Sequence, residues 1–285
     1  MCIRDRAYIG GLGVFLVAIN FSFLPVPVVW LLATAGAVVF GAAWAYIPAY
    51  LQAKRGSHVV ITTIMFNFIA SSLMVFLLVD VIRDFKQMGP HTVALPKELW
   101  FPTFKELAHL FGVKIRYSPL NLSFVIAIAA SFFVWFLIWK TKWGYEMRAV
   151  GHNTKAAIYA GISPHKNIII AMLISGGLAG MLGINEILGV HHKIVAGFPA
   201  GYGFTGIAVA LMGRNHPVGI FPAAFLFGIL YQGGSEVTFD MPNITRYMFV
   251  AVQGVIILFS GALENLFRPQ IESFFVNRIN KEEMA

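Results

Sequence analysis

Long apolar runs alternate with short polar breaks along most of the chain. A helix needs about 20 apolar residues to cross the hydrocarbon core of a bilayer. The pattern therefore predicts an all-α, polytopic transmembrane helix bundle. The long runs cover residues 7–24, 28–51, 59–82, 121–139, 167–190 and 244–263.

Two shorter apolar runs, 204–212 and 218–231, are separated by the sequence GRNHP. Each is short for a complete crossing. They predict either a re-entrant hairpin with Arg214 at its tip or two tilted helices joined by a cytoplasmic turn. Irregular backbone at membrane depth is tolerated only where protein or a water-filled cavity surrounds it.

The composition supports a membrane protein. Hydrophobic residues make up 58% of the chain and charged residues 12%, whereas soluble domains carry about 25% charged residues. Cys2 is the only cysteine in the sequence, which excludes an intrachain disulfide and a cysteine-based metal site. The net charge of +8 arises in loops between apolar runs, which is typical of orientation signals and does not indicate nucleic-acid binding.

Basic residues in the short loops orient the chain, because cytoplasmic loops collect Lys and Arg. They predict that the segment 140–167 and the tail 264–285 are cytoplasmic. The long, proline-rich loop 83–120 is predicted to be external. The orienting residues are Lys54, Arg55, Lys140, Lys142, Arg148, Lys155, Lys166, Arg268, Arg278 and Lys281.

The most polar part of the cytoplasmic side is the sequence GYEMRAVGHNTKAAIYAGISPHK, from Gly144 to Lys166. It is too polar to cross lipid and too regular for a plain linker. We interpret it as a docking surface for another polypeptide that supplies the energy.

Several residues inside the predicted spans suggest particular roles. Gly176, Gly177, Gly180 and Gly183 lie in one span, and Gly176-x-x-x-Gly180 is a spacing that allows close helix packing. Polar residues inside a membrane are costly and often mark a transport path, although interfacial placement or a hydrogen bond between helices is the more common reason for them. The candidates for a substrate path are Asn67, Asn185, Glu186 and Gln253, with the aromatic residues Phe66, Phe198 and Phe204.

Motifs for covalent or cofactor chemistry are missing from the sequence. The segment 201–206, GYGFTG, matches G-x-G-x-x-G but lacks the following acidic residue of a dinucleotide site. The sequence contains no G-x-x-x-x-G-K-[ST], H-E-x-x-H or G-x-S-x-G motif. Adjacent helical side chains diverge, so His191 and His192 predict a solvated loop end and no metal site. No catalytic residue, metal or cofactor is therefore predicted in this chain.

A series of short motifs runs in order from Tyr46 onward. The motifs are IPAYLQAKRG (47–56), ITTIMFNFIA (61–70), RAVGHN (148–153), AA (156–157), GI (161–162), SGGLAG (175–180), GFTGIAVAL (203–211) and GRNHP (213–217). This order resembles the permease subunits of ATP-binding-cassette (ABC) importers, in the branch shared by ribose, branched-chain amino acid and nucleoside systems. It looks most like simple-sugar or nucleoside permeases that work with a binding protein of the basic-membrane-lipoprotein type.

The resemblance implies that residues 144–166 contain the helix that couples transport to a cytoplasmic ABC ATPase. ATP and Mg²⁺ would bind to that ATPase and not to this chain. A second permease subunit (a copy or a paralogue), an external substrate-binding lipoprotein and membrane lipid would be the other partners. The predicted coupling residues are Gly144, Glu146, Arg148, Gly151, Asn153, Lys155, Ala156, Ala157, Gly161 and Ile162.

The chain departs from the family pattern in three places. Lys155 stands where many importer permeases have an acid before the Ala-Ala pair, and Val59 stands where relatives often have a glutamate. The upstream segment of relatives, similar to Asn-Ile-Gly-x-Glu-Gly-Gln, has no counterpart. The first six residues, MCIRDR, resemble a translated sequencing-adaptor tag. We therefore expect one permease domain over 7–285 and a native start further upstream.

The sequence as a whole predicts the membrane subunit of an ATP-driven importer in a bacterial inner membrane. Its cargo would be a nucleoside or simple sugar, carried by alternating access. Three alternatives are a branched-chain amino acid importer, an ion-coupled secondary transporter and a membrane-embedded enzyme. The last two need buried acid pairs or a catalytic cluster, which the spans do not show.

Overall fold

The computed structural model describes residues 3–84, 89–106, 120–199, 201–241 and 248–259. In these ranges the chain is helical and contains no β-strand, only isolated bridges. The chain divides into two compact units, residues 1–203 and 204–285.

The first unit contains the helices α1 to α7 and the described part of the predicted external loop. The helices are α1 Ile3–Asn20, α2 Val26–Arg55, α3 Val59–Phe76, α4 Ser123–Lys140, α5 Lys142–His152, α6 Thr154–Tyr159 and α7 Pro164–Gly180. The helix α3 continues into a π-helical turn, Leu77–Val81, and α7 continues through Leu182–Ile184 into a second one, Asn185–Val190. Residues 3–6 of the tag-like segment form the first turn of α1.

The helix α8, Tyr202–Met212, begins at the division between the two units. The second unit also contains α9 Pro217–Asp240 and α10 Met248–Phe259. Arg214 and Asn215, both with φ of 53°, turn the chain between α8 and α9. The side chain of His216 caps α9 by accepting from Val218 N. The predicted tail 264–285 lies outside the described residues.

Five helical segments of the described residues are long and apolar enough to cross a membrane. They are Val26–Arg55, Val59–Val81, Ser123–Lys140, Pro164–Val190 and Pro217–Phe239. The prediction of an all-α, polytopic membrane bundle is confirmed.

The predicted length of one helix was wrong, because α9 extends nine residues beyond the predicted end at residue 231. Its polar end stays helical because Gln232 donates to Glu236 one turn later (3.2 Å) and Thr238 donates to Gly234 O (2.8 Å).

Small residues bring α1, α2 and α7 into backbone contact. A Cβ placed on Gly180 would lie 2.3 Å from the carbonyl oxygen of Ala37, and one on Gly176 would lie 2.7 Å from that of Gly41. Gly183 faces the backbone of Gly11 of α1 in the same way, whereas Gly177 packs against the side chain of Val38. Three of the four glycines predicted for helix packing therefore face backbone that leaves no room for a Cβ.

A core of larger apolar residues lies beside these contacts. Its fully buried members include Met74, Leu78, Ile187, Leu188 and Ile194. They come from α3, from the two π-helical turns and from the segment that follows α7. The core therefore lies toward the predicted external end of the first unit.

The described part of the predicted external loop packs onto this core. Leu95 N donates to His192 O (2.8 Å) and Phe101 N donates to Leu188 O (2.9 Å). The rings of Trp100 and His192 stack with their centroids 3.7 Å apart. Burial lowers the pKa of His192, which favours the neutral imidazole in this stack. The expectation that His192 would end a solvated loop was therefore wrong.

A Gly180→Ala substitution should destabilise the protein. Alanine normally favours a helix over glycine by about 1 kcal/mol, but the added Cβ would overlap the backbone of α2, and overpacking costs roughly 1–3 kcal/mol. Thermal unfolding in detergent measures the effect. Gly228→Ala in α9 is the matched control, because its Cβ meets nothing within 4 Å. Equal melting temperatures for the two variants would contradict the close approach of the helices.

Candidate functional site

The predicted docking surface forms a folded segment, residues 142–162, called the docking segment below. Asn153 joins its two helices. Its backbone N–H donates to Ala149 O (3.1 Å) at the end of α5. Its side-chain oxygen caps α6 by accepting hydrogen bonds from Lys155 N (3.0 Å) and Ala156 N (3.2 Å). An asparagine in this position satisfies helix donors that would otherwise face water.

The docking segment ends in a glycine cap. Gly161 has φ of +78°, a conformation that side chains disfavour. Gly161 N donates to Ile158 O (2.9 Å) and Ile162 N donates to Ala157 O (2.9 Å). This pair of bonds is the Schellman motif. Gly161 is therefore needed for the turn into α7.

Contacts within the first unit hold the docking segment against α4 and α7. The Thr141 hydroxyl donates to Leu137 O (2.6 Å) and accepts from Gly144 N (3.2 Å). Asn167 donates from Nδ2 to Glu146 Oε2 (3.4 Å) and to Ser163 O (3.1 Å). Glu146 thus ties α5 to α7.

The exposed face of the docking segment is apolar and basic. Tyr159 is 94% exposed and Ile158 is 57% exposed. Arg148, Lys155 and Ala156 are also exposed. A Cβ on Gly151 would meet nothing within 4 Å. Large exposed apolar side chains with a positive rim are typical of a protein contact.

Two of the predicted coupling residues do not reach this face. Gly144 is buried, and a Cβ placed on it would lie 2.2 Å from Leu137 O. The absence of a side chain therefore permits the tight junction between α4 and α5. Ala157 is 3% exposed and faces inward. Both were predicted as coupling residues, and their burial makes them internal supports of the docking segment. The exposed Ile158 and Tyr159 were missed, although the motif between Ala157 and Gly161 contains them.

Asn185 and Glu186 form a buried polar network at the end of the fifth predicted span. Asn185 Oδ1 accepts from Asn121 Nδ2 (3.2 Å) and from the Ser123 hydroxyl (2.7 Å). Asn185 Nδ2 donates to Glu186 Oε1 (3.2 Å). His191 Nε2 lies 3.4 Å from Glu186 Oε2. The network joins the first turn of α4 to the second π-helical turn, so the Asn185 amide already has partners within the protein.

Asn67 differs from Asn185 in its hydrogen bonding. Its Oδ1 atom is buried and has no hydrogen-bond partner in the part of the chain that the structure describes. The neighbouring Phe66 packs edge-on against Trp44, with ring centroids 5.7 Å apart. Trp44 is half-buried and was not among the predicted residues. Phe66 and Asn67 are adjacent in α3, so their side chains diverge, and the ring pair and the unsatisfied amide are two separate features of this helix.

The remaining substrate-path candidates are Phe198, Phe204 and Gln253. Phe198 is buried in the core and packs edge-on against Tyr8 at 5.2 Å. Phe204 is 79% exposed and Gln253 is half-buried, both in the second unit. In the described ranges no group of three or more His, Cys, Asp or Glu residues is placed to hold a metal ion.

Comparison with known proteins identifies one family. A family model described as "Branched-chain amino acid transport system / permease component" matches residues 5–261. The guanosine ABC transporter permease of Bacillus subtilis (strain 168) is 37% identical over 80% of this chain and 63% of its own length. The glucose ABC transporter permease of Haloferax volcanii is 33% identical over 97% of this chain and 72% of its own length.

The nucleoside ABC transporter permease NupB of Lactococcus lactis subsp. cremoris is 34% identical over 75% of this chain and 59% of its own length. The chain thus spans less than two thirds of the length of the guanosine permease and of this nucleoside permease. No solved structure matches the chain.

An Asn185→Ala substitution should destabilise the first unit by about 1–2 kcal/mol, because it leaves Asn121 and Glu186 without their shared partner. Thermal unfolding of the detergent-purified protein measures the loss. Asn20→Ala is the control, since Asn20 is exposed and, among the residues that the structure describes, its side chain donates to Leu16 O of its own helix. An unchanged melting temperature for Asn185→Ala would show that the network does not support the fold.

Proposed function

The chain belongs to the family of branched-chain amino acid transport system permease components, and we propose that it is the membrane subunit of an ATP-driven importer for a nucleoside or simple sugar. It would work in a bacterial inner membrane. A separate cytoplasmic ABC ATPase would bind ATP and Mg²⁺. A second permease subunit and an external substrate-binding lipoprotein would complete the assembly.

The observation that carries this proposal is the docking segment. It exposes Ile158 and Tyr159 on a short helix whose two ends are capped within the chain. The exposed cations Arg148 and Lys155 favour an acidic partner surface. If an ATPase binds here, its closing movement would be transmitted to α7, because Glu146 accepts a hydrogen bond from Asn167 of that helix.

The proposed transport cycle is alternating access. ATP binding would draw the two ATPases together, and the docking segments would follow. The membrane helices attached to them would then change between the inward-open and outward-open arrangements. Such a shift requires that ATP bind the two arrangements with different affinity.

The proposed cargo rests on two observations. Relatives named as guanosine, nucleoside and glucose permeases match most of the chain. The Trp44–Phe66 ring pair and, separately, the unsatisfied Asn67 amide oxygen also suit a neutral, polar molecule better than a charged one. We propose that these three side chains line part of the path, and that Asn185 and Glu186 support its outer end.

Tyr159→Ala should reduce the ATPase recovered with the permease about tenfold, because exposed aromatic residues at the centre of an interface often contribute more than 1 kcal/mol. The full-length permease is co-expressed with the ATPase encoded beside it and purified through a tag on the permease. Gly151→Trp should also reduce recovery, since the free protein has space for the added ring but an interface would not.

Phe239→Ala is the matched control for this experiment, because Phe239 is 88% exposed in the other unit. It should leave recovery unchanged. Undiminished ATPase recovery with both Tyr159→Ala and Gly151→Trp would refute docking at this segment. Gly161 and Ala157 are unsuitable for this test, since the positive φ of the one and the burial of the other would disturb the fold.

Asn67→Ala should lower guanosine or glucose uptake roughly tenfold and leave ATPase recovery unchanged, because it removes one polar contact to the cargo. Uptake by cells that express the complete transporter is measured with each labelled compound and with leucine. Ser72→Ala, an exposed position on the same helix, is the control. Uptake of leucine alone would refute the proposed cargo class, and normal uptake by Asn67→Ala would remove Asn67 from the path.

A further inference from the structure

The junction of α4 and α5 carries a second feature that docking of an ATPase does not explain. Among the five long apolar segments of the described chain, α4 buries the smallest share of its length within the protein, 6%. The helix ends at Lys140 and α5 begins at Lys142. Residues 135–143, called the elbow below, therefore lie at the predicted cytoplasmic membrane surface.

The elbow combines indole rings with ammonium groups. Trp135 and Trp139 lie about one helical turn apart on α4, and Trp143 is the second residue of α5. Trp139 is 36% exposed and Trp143 is 56% exposed. Tryptophan is enriched at the boundary between hydrocarbon and headgroups. The rings thus place the elbow at headgroup depth.

Lys140 adopts an unusual position for a lysine at the end of a span. Its ammonium nitrogen lies 5.9 Å from the ring centroid of Trp135, which comes five residues earlier in the helix. The side chain therefore reaches back toward the membrane, whereas lysines at helix ends usually extend outward into water. A cation held at this depth needs a negative charge close by.

The chain itself does not supply that charge where the structure describes it. Neither Lys140 nor Lys142 forms an ion pair with an acidic side chain in the described ranges. Glu146, the acid that follows them in the sequence, instead accepts a hydrogen bond from Asn167. Lys140 and Lys142 are therefore available to a negatively charged group outside the described residues.

We infer that the elbow is a binding site for the headgroup of an anionic phospholipid in the cytoplasmic leaflet. Lys140 and Lys142 would contact the phosphate, and Trp135 and Trp143 would pack against the glycerol and upper acyl chains. Juxtamembrane cations attract anionic lipids. The site exists before the lipid arrives, because the hydrogen bonds of Thr141 to Leu137 and Gly144 fix the angle between the helices.

A lipid explains the elbow better than a protein partner does. Lys140 turns toward the membrane and away from the cytoplasm, and the apolar face of α4 continues beside it through Phe132, Phe133 and Phe136, which are 50–65% exposed. An acidic protein surface would favour cations extended into water. This inference does not depend on the identity of the cargo or on the docking of an ATPase.

Native mass spectrometry of the full-length permease in mild detergent tests the inference. Phosphatidylglycerol and phosphatidylcholine with identical acyl chains are added in turn, and glycerol phosphate serves as a water-soluble competitor. The unmodified protein should bind phosphatidylglycerol about tenfold more tightly than phosphatidylcholine. The double variant Lys140→Gln, Lys142→Gln should lose this preference, and Lys140→Arg, Lys142→Arg should keep it.

Lys54→Gln, Arg55→Gln is the matched control, because these two exposed cations end α2 on the same predicted side. The control should retain the preference. Equal losses in both glutamine variants, or displacement of the lipid by glycerol phosphate, would overturn the lipid site. So would a Lys140→Gln, Lys142→Gln protein that binds phosphatidylglycerol normally but recovers less ATPase, since the elbow would then belong to a protein interface.

Discussion

The close contact between the small-residue faces of α2 and α7 is the constraint on which the first unit depends. In lipid, apolar side chains gain little by leaving the solvent, so helices associate through tight packing and hydrogen bonds. Gly176 and Gly180 bring α7 to the carbonyl groups of Gly41 and Ala37. The contact fixes the position of α7, which leads from the docking segment at one end to the buried Asn185 network at the other.

The sequence predicted the features that depend on local pattern. Apolar runs located the spans, and the glycine spacing on α7 identified a packing face. It did not predict which side of α6 is buried, because six residues carry too little periodicity to distinguish Ala156 from Ala157. It also underestimated α9, since hydropathy falls at Gln232 while helical hydrogen bonding continues to Asp240.

Contacts between segments that are remote in sequence could not be predicted from the local pattern of residues. Asn185 was recognised as a polar residue in a span, but its partners Asn121 and Ser123 lie more than 60 residues earlier in the chain. Trp44 was missed for the same reason, because its relation to Phe66 exists only when α2 and α3 pack together. The stacking of His192 on Trp100 likewise joins two segments that are remote in sequence.

The two caps of α6 have an energetic consequence for assembly. Asn153 closes the helix at its start and Gly161 closes it at its end, so both caps come from residues beside the helix. The exposed side chains of Ile158 and Tyr159 are therefore held on an already folded backbone. A partner that binds them does not have to order this loop, and less of the binding energy is lost as conformational entropy. Preorganisation of this kind suits a contact that must transmit movement in every cycle without coming apart.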